Sequence, residues 1–239
     1  MSKSQIKALV FDVFGTVVDW RTSISRQARE LGEKHGVEAD WNKFADDWRT
    51  GYGVGMAKVN SGEDDWKTID QIHRERLDVI LDEYGFSTID MDEEEKVKFN
   101  KAWHRLDGWP DSTDGLLRLK SKYIIASLSN GNIALLTNMA KYANLPWDMV
   151  LSAELVRKYK PDPETYLSAS RLLDIPMNQV MMVAAHKKDL FNAKSLGMKT
   201  AYVPRPLENG PDTQIDTASE DYIDLIAIDF LDLHNKLTI

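Results

Sequence analysis

The sequence predicts an α/β protein: a doubly wound parallel sheet core with a helical cap subdomain inserted into it. Two observations carry this. Short, uninterrupted apolar runs recur along the chain with helical stretches between them. After the first run, about a hundred residues pass without another buried-strand signature, too long for one crossover connection.

The first run, Ala8-Leu9-Val10-Phe11, ends in Asp12-Val13-Phe14-Gly15-Thr16, as suits a strand buried on both faces and followed by a tight turn. The next runs are Tyr123 to Leu128, ending in Ser129-Asn130-Gly131; Met149-Val150-Leu151; Val180 to Ala185, ending in His186-Lys187-Lys188-Asp189; and Thr200 to Val203. Helical spacing over 133–143, 163–173 and 189–196 separates them. In the long insertion, 21–36, 42–54, 64–84 and 93–105 have helical spacing; Arg74, Leu77, Ile80, Leu81 and Tyr84 fall at intervals of three and four. The expected division is a core of 1–18 and 108–239 and a cap of 19–107. Asp90 to Glu95 reads as a solvated helix start, and Leu207 to Glu220 as a surface loop before the last helix. Five of the seven tryptophans (Trp20, Trp41, Trp48, Trp66, Trp103) lie in the insertion. Most suit the core of a small bundle; Trp48 and Trp66 are also candidates to wall an apolar pocket over the sheet.

The formal net charge of -8 argues against nucleic acid and anionic membranes as partners, though local cations in a cleft can still hold a small anion. With no cysteine, disulfides, thiolate–metal ligation and a thiol nucleophile are excluded. The N-terminus lacks the apolar stretch of a secretory signal, and no run approaches the ~18 apolar residues of a membrane span, so a cytoplasmic location is expected.

In a parallel sheet, ligands bind beyond the carboxyl ends of the strands. Strand ends here carry Asp12, Ser129-Asn130 and His186 with Asp189, and Lys160 follows a fourth. Asp12 suits a nucleophile, since aspartate forms covalent esters and no Ser-His-Asp arrangement competes. Taken alone, an aspartate capping a turn explains it equally well.

Phe11-Asp12-Val13-Phe14-Gly15-Thr16, Ser129-Asn130-Gly131 and Lys160-Pro161-Asp162, in this order and spacing, resemble the haloacid dehalogenase superfamily and within it most closely the (S)-2-haloacid dehalogenases. The resemblance covers nearly the whole chain. It implies hydrolysis of short (S)-2-haloacids to (R)-2-hydroxy acids, with Asp12 attacking C2 to form an ester that water cleaves at the Asp12 carbonyl carbon. It implies further that Lys160 keeps Asp12 ionised, Arg49 receives the halide, and Asp189 activates water. Thr16 and Ser129 bond the aspartate or the substrate carboxylate, while Asn130 and Tyr166 support the site. The partners are a haloacid and halide, with a homodimer expected by analogy.

The superfamily's phosphatases carry a second Asp where this chain has Phe14, which cannot protonate an alkoxide but can wall a carbon–halogen bond. They also pair acids where this chain has Ala184-Ala185-His186-Lys187-Lys188-Asp189, so neither metal nor cofactor is expected. Better-known members place asparagine at His186 and serine at Ala184. His186 is therefore expected to assist ester hydrolysis as a base with Asp189 or to contact the halide, the plainer alternative being that it only fills an altered pocket. Two competing functions are weighed: another hydrolase on the same scaffold, such as a phosphatase or phosphonate hydrolase, and an inactive binding protein. Phe14 argues against the first and the intact Asp12, Lys160 and Asp189 against the second.

Overall fold

A computed structural model describes residues 6–238 of the chain; residues 1–5, part of the N-terminus read as lacking a signal, lie outside it. Strand β1 (Ala8–Phe11) lies in a six-stranded sheet beside β4 (Ile124–Ser129), with β5 (Met149–Ser152) beyond it. On the other side follow β6 (Val180–Ala184), β7 (Lys199–Tyr202) and β8 (Leu225–Ile226). Every pairing is parallel; Phe11 sits opposite Ser127 on one flank and Val183 on the other. The continuous apolar sequence of β1 has the expected cause. Leu9 and Phe11 enter one core and Ala8 and Val10 the other, so alternate side chains meet helices on opposite faces. Helices α5 (Ser112–Lys120), α6 (Ile133–Tyr142) and α9 (Phe230–Thr238) pack on the Leu9 side; α7 (Pro163–Leu173) and α8 (Lys187–Ser195) pack on the Val10 side.

The chain runs outward from β1 to β4 and β5, then returns to place β6 on β1's other flank. This reversal of direction opens a crevice at the carboxyl end of β1. Beyond β1 the chain leaves through β2 (Val18–Asp19) and returns through β3 (Asp107–Gly108), which pair antiparallel. Between them lie α1 (Trp20–His35), α2 (Trp41–Ser61), α3 (Ile69–Glu83) and α4 (Glu93–Asn100). Their ends are set by local chemistry. Asp19 and Asp40 accept from first-turn amides, Gly36 and Gly62 close the C-termini with φ of 71° and 80°, and Thr68 with Gln71 forms a capping box. Asp92 caps α4, with Glu93, Glu94 and Glu95 in its first turn, as read from the sequence. No helix among the described residues is long and apolar enough to cross a membrane.

Residues 207–220 are irregular and mostly exposed, as expected of a surface loop, but Glu208 within them is buried and Arg205 just before them is anchored in the core. Arg205, 8% exposed, donates through Nε to the Thr16 carbonyl (2.9 Å) and grips both Asp111 oxygens (2.7 and 2.9 Å). Burial raises the Asp111 pKa, but the guanidinium outweighs it and holds the carboxyl below its ordinary value. Arg205→Met removes that cation and is expected to cost roughly 3–5 kcal/mol of stability in denaturant titration above pH 4. The difference narrows as Asp111 is protonated on acidification, because a depressed carboxylate contributes stability only above its folded pKa.

Candidate active site

Asp12 projects from the end of β1 into a cavity of about 240 Å³ whose lining includes Phe14, Arg49, Tyr52, Lys160, His186 and Asp189. Its two oxygens are held differently. Oδ2 accepts from Thr16 Oγ1 (3.0 Å) and from His186 Nδ1 (2.8 Å), whereas Oδ1 has the Lys160 ammonium at 3.6 Å. Thr16 Oγ1 itself accepts from the Ala185 amide (2.9 Å), so its one proton is directed at Asp12. Lys160 donates to Asp189 Oδ2 (2.7 Å), and Tyr166 donates to Asp189 Oδ1 (2.6 Å). The Asn130 side chain accepts from the Lys160 amide (2.8 Å) and so positions that residue.

The two carboxylates diverge in acidity. Burial opposes ionisation of Asp12, but Lys160, His186 and Thr16 together outweigh it and hold the group well below the carboxylate range. Asp189 is raised: burial dominates, the nearby Asp12 charge adds to it, and Lys160 only partly compensates. An ionised nucleophile beside a more basic carboxylate is the division of labour that two-step hydrolysis needs. Lys160 is raised despite burial, because Asp189 and Asp12 favour its charge.

His186 is bonded through Nε2 to both Glu208 oxygens (3.0 Å each), and Glu208, 8% exposed, also accepts from Trp20 Nε1 (3.1 Å). Carboxylates only accept, so a ring lying between two of them carries a proton on each nitrogen. Burial alone would lower the His186 pKa; the bonds to Asp12 and Glu208 reverse this and push it up to about 10. The general-base role expected for His186 does not fit this resting state, since a doubly protonated ring has no lone pair for a proton.

Arg49 projects from α2 into a cage of rings, its guanidinium carbon 4.0 Å from the centroid of Tyr52, 5.3 Å from Phe14 and 5.4 Å from Trp20. Its Nη1 is buried without a hydrogen-bond partner, and among the described residues Arg49 has no carboxylate partner. A half-buried cation with a free buried N–H is a seat for an anion.

Two residues proposed as pocket walls lie elsewhere. Trp48 is fully buried inside the helical layer, its Nε1 bonded to the His73 carbonyl (3.0 Å) and its ring stacked on Phe99. Trp66 stacks on Tyr159 (4.7 Å between centroids), away from the cavity. The sequence places Trp48 and Arg49 side by side, but neighbouring helix positions point about 100° apart, so only one can face the site. Ser129 is fully buried and outside the cavity lining, its hydroxyl oxygen accepting from the Gly131 amide (3.3 Å).

Tyr52 and Glu208 were missed. Tyr52 lies three residues after Arg49 on the same helix face, a spacing that could have revealed it. Glu208 carries no such signal, being a lone acid in a Pro- and Gly-containing stretch. Its one echo is Gly15, where a Cβ would lie 1.9 Å from Glu208 Oε1.

Magnesium is the cofactor that this architecture brings to mind in phosphatases, and the donors here do not fit it. A phenyl ring occupies the Phe14 position, the Lys160 ammonium sits between Asp12 and Asp189, and among the described residues no group of three or more His, Asp or Glu is placed to hold a metal.

Cleft, strand-end carboxylates and lysine together define a hydrolase. A profile of haloacid dehalogenase-like hydrolases matches residues 6–194, and the chain belongs to that family. It is 31% identical to (S)-2-haloacid dehalogenase 4A of Burkholderia cepacia, covering 84% of each chain. Among solved structures, a defluorinating L-2-haloacid dehalogenase superposes with a TM-score of 0.94 at 42% identity, over 98% of this chain and 96% of that one. A further L-2-haloacid dehalogenase gives 0.92 at 45%, over 98% and 99%.

Proposed function

We propose that this chain hydrolyses short (S)-2-haloacids to (R)-2-hydroxy acids through an ester on Asp12. The observation that carries the reading is the pairing, across one small cavity, of an ionised carboxylate with a guanidinium that has no carboxylate partner among the described residues and whose Nη1 is buried without a hydrogen bond. One suits a nucleophile and the other a departing anion. The relatives named above, all called 2-haloacid dehalogenases, support the same substrate class.

Asp12 Oδ1, the oxygen without a close hydrogen bond, attacks C2 opposite the halogen; the carbon–halogen bond breaks and its electron pair leaves with the halide towards Arg49. Halide needs no proton, so Phe14 in place of an acid costs this reaction nothing. With Thr16 donating to Asp12 and Ser129 outside the cavity lining, Lys188 at the cavity rim, without an ion pair among the described residues, is the cation left for the substrate carboxylate. Water then attacks the Asp12 carbonyl carbon and passes a proton to Asp189. The ester bond breaks, the alkoxide takes that proton back, and Asp12 sheds its remaining proton to solvent. Residues 19–107 act as the cap bringing Arg49 over the core, in a cytoplasmic enzyme whose partners are small molecules.

The test is halide release from chloroacetate, fluoroacetate and both enantiomers of 2-chloropropionate, with EDTA present. Chloride is expected from chloroacetate and the (S) enantiomer, at rates EDTA leaves unchanged. No halide from any of them, or magnesium-dependent phosphate release from a phosphate ester, contradicts the reading.

A further inference from the structure

We infer that His186 and Glu208 form a charged oxyanion hole for the second half-reaction, with Glu208 the positioning residue that keeps the imidazole protonated. The inference rests on the proposed ester at Asp12. If Oδ1 bonds to carbon, Oδ2 becomes the ester carbonyl oxygen, and it already lies 2.8 Å from His186 Nδ1 and 3.0 Å from Thr16 Oγ1. When water adds to the carbonyl carbon, the π electron pair moves onto Oδ2, and both donors face the oxygen where that charge appears. As the tetrahedral centre collapses, the pair returns, the bond to the 2-hydroxy oxygen breaks, and that oxygen takes the proton Asp189 had received. His186 gives up no proton at any step.

Glu208 matters most in the ester. In the free enzyme two carboxylates favour the imidazolium; alkylation neutralises Asp12 and leaves Glu208 as the one carboxylate still bonded to the ring. Glu208 is in turn fixed by Trp20 Nε1 and by its own amide, which donates to the Arg205 carbonyl (3.1 Å). Without Glu208 the imidazolium gives up a proton more readily, and the neutral ring that results is a weaker donor, facing Oδ2 with an N–H in one tautomer and a lone pair in the other. The other charged or titratable groups around the ring are Lys160 and Asp189 across Asp12, Lys187 and Lys188 on α8, and Arg49 with Tyr52 across the cavity. Lys160, Lys187 and Tyr52 are all raised above their ordinary values, and a limb that belongs to His186 is told from one of Lys188 by its disappearance in His186→Asn, which leaves the lysine in place.

The test is the pH profile of ester hydrolysis, measured after a stoichiometric burst of halide, for the wild type, Glu208→Gln and His186→Asn. In the wild type the rate is expected to fall on the alkaline side as the imidazolium is lost. In Glu208→Gln the burst persists while that fall moves down by at least about one pH unit, a tenfold loss of rate on the limb. His186→Asn, which keeps a neutral donor, removes the limb and turns over faster than His186→Ala, for which a loss of roughly 10²–10³ is expected. An unmoved limb in Glu208→Gln overturns the inference, as does a wild-type rate that rises as His186 deprotonates, the signature of a base. Absence of any halide burst in the wild type instead defeats the haloacid reading itself.

Discussion

Asp12→Asn is expected to abolish haloacid hydrolysis, by roughly four orders of magnitude or more, with the fold retained. A neutral amide is a poor nucleophile towards carbon, and no second carboxylate can replace Asp12, because Asp189 has Lys160 on one oxygen and Tyr166 on the other. Loss of halide release with a denaturation midpoint still well above the assay temperature separates this from unfolding. Some stability is lost near neutral pH, because the neighbours of Asp12 more than offset its burial and the ionised group stabilises the fold.

Lys160→Met is the second large effect, and here activity and stability fall together. Lys160 is the cation between two buried carboxylates, 2.7 Å from one and 3.6 Å from the other. Without it, burial goes unopposed: both pKa values rise, and the two like charges favour sharing one proton. A loss of roughly 10³ in kcat is expected, with a stability cost of about 3–5 kcal/mol near neutral pH. The sign follows from the shifts. Asp12 is depressed in the folded state and stabilises it above the unfolded carboxylate pKa, so the cost shrinks as pH falls through the acid range. Lys160 is raised, so its own contribution is present below its unfolded pKa and lost only at strongly alkaline pH. A variant equally unstable at pH 4 and pH 8 contradicts this electrostatic account.

Much of the architecture was legible because its local signals are strong. The continuous run at β1 has no solvent face, and residues 163–173 begin with Asp162 as cap and Pro163 as first helical residue. Helix α2 continues past the expected end at 54 to Ser61; Gly51 and Gly55 within it lie where Arg76 and Ile72 of α3 pack too closely for a side chain. Helix α5 and the short β8 went unread, lying between stronger signals. In the site, Asp12, Lys160, His186 and Asp189 come together around one cavity because strand ends of a parallel sheet converge there, and Arg49 reaches the same cavity from α2. Glu208 was not legible. Its function depends on a segment folded back by the Arg205 anchor, and nothing in the neighbouring residues encodes where that segment lands. Trp48 and Trp66 show the opposite failure, in which a residue type suited to a pocket serves the packing of the helical layer.

The central claim is that one carboxylate at the tip of β1 bonds to substrate carbon, and oxygen-18 tests it most directly. After a single turnover of (S)-2-chloropropionate in heavy water-18O, the label is expected in the peptide containing Asp12, with unlabelled product, and in product only on later turnovers. Label in the product of the first turnover, with Asp12 unlabelled, means that water attacks substrate carbon directly and contradicts the account.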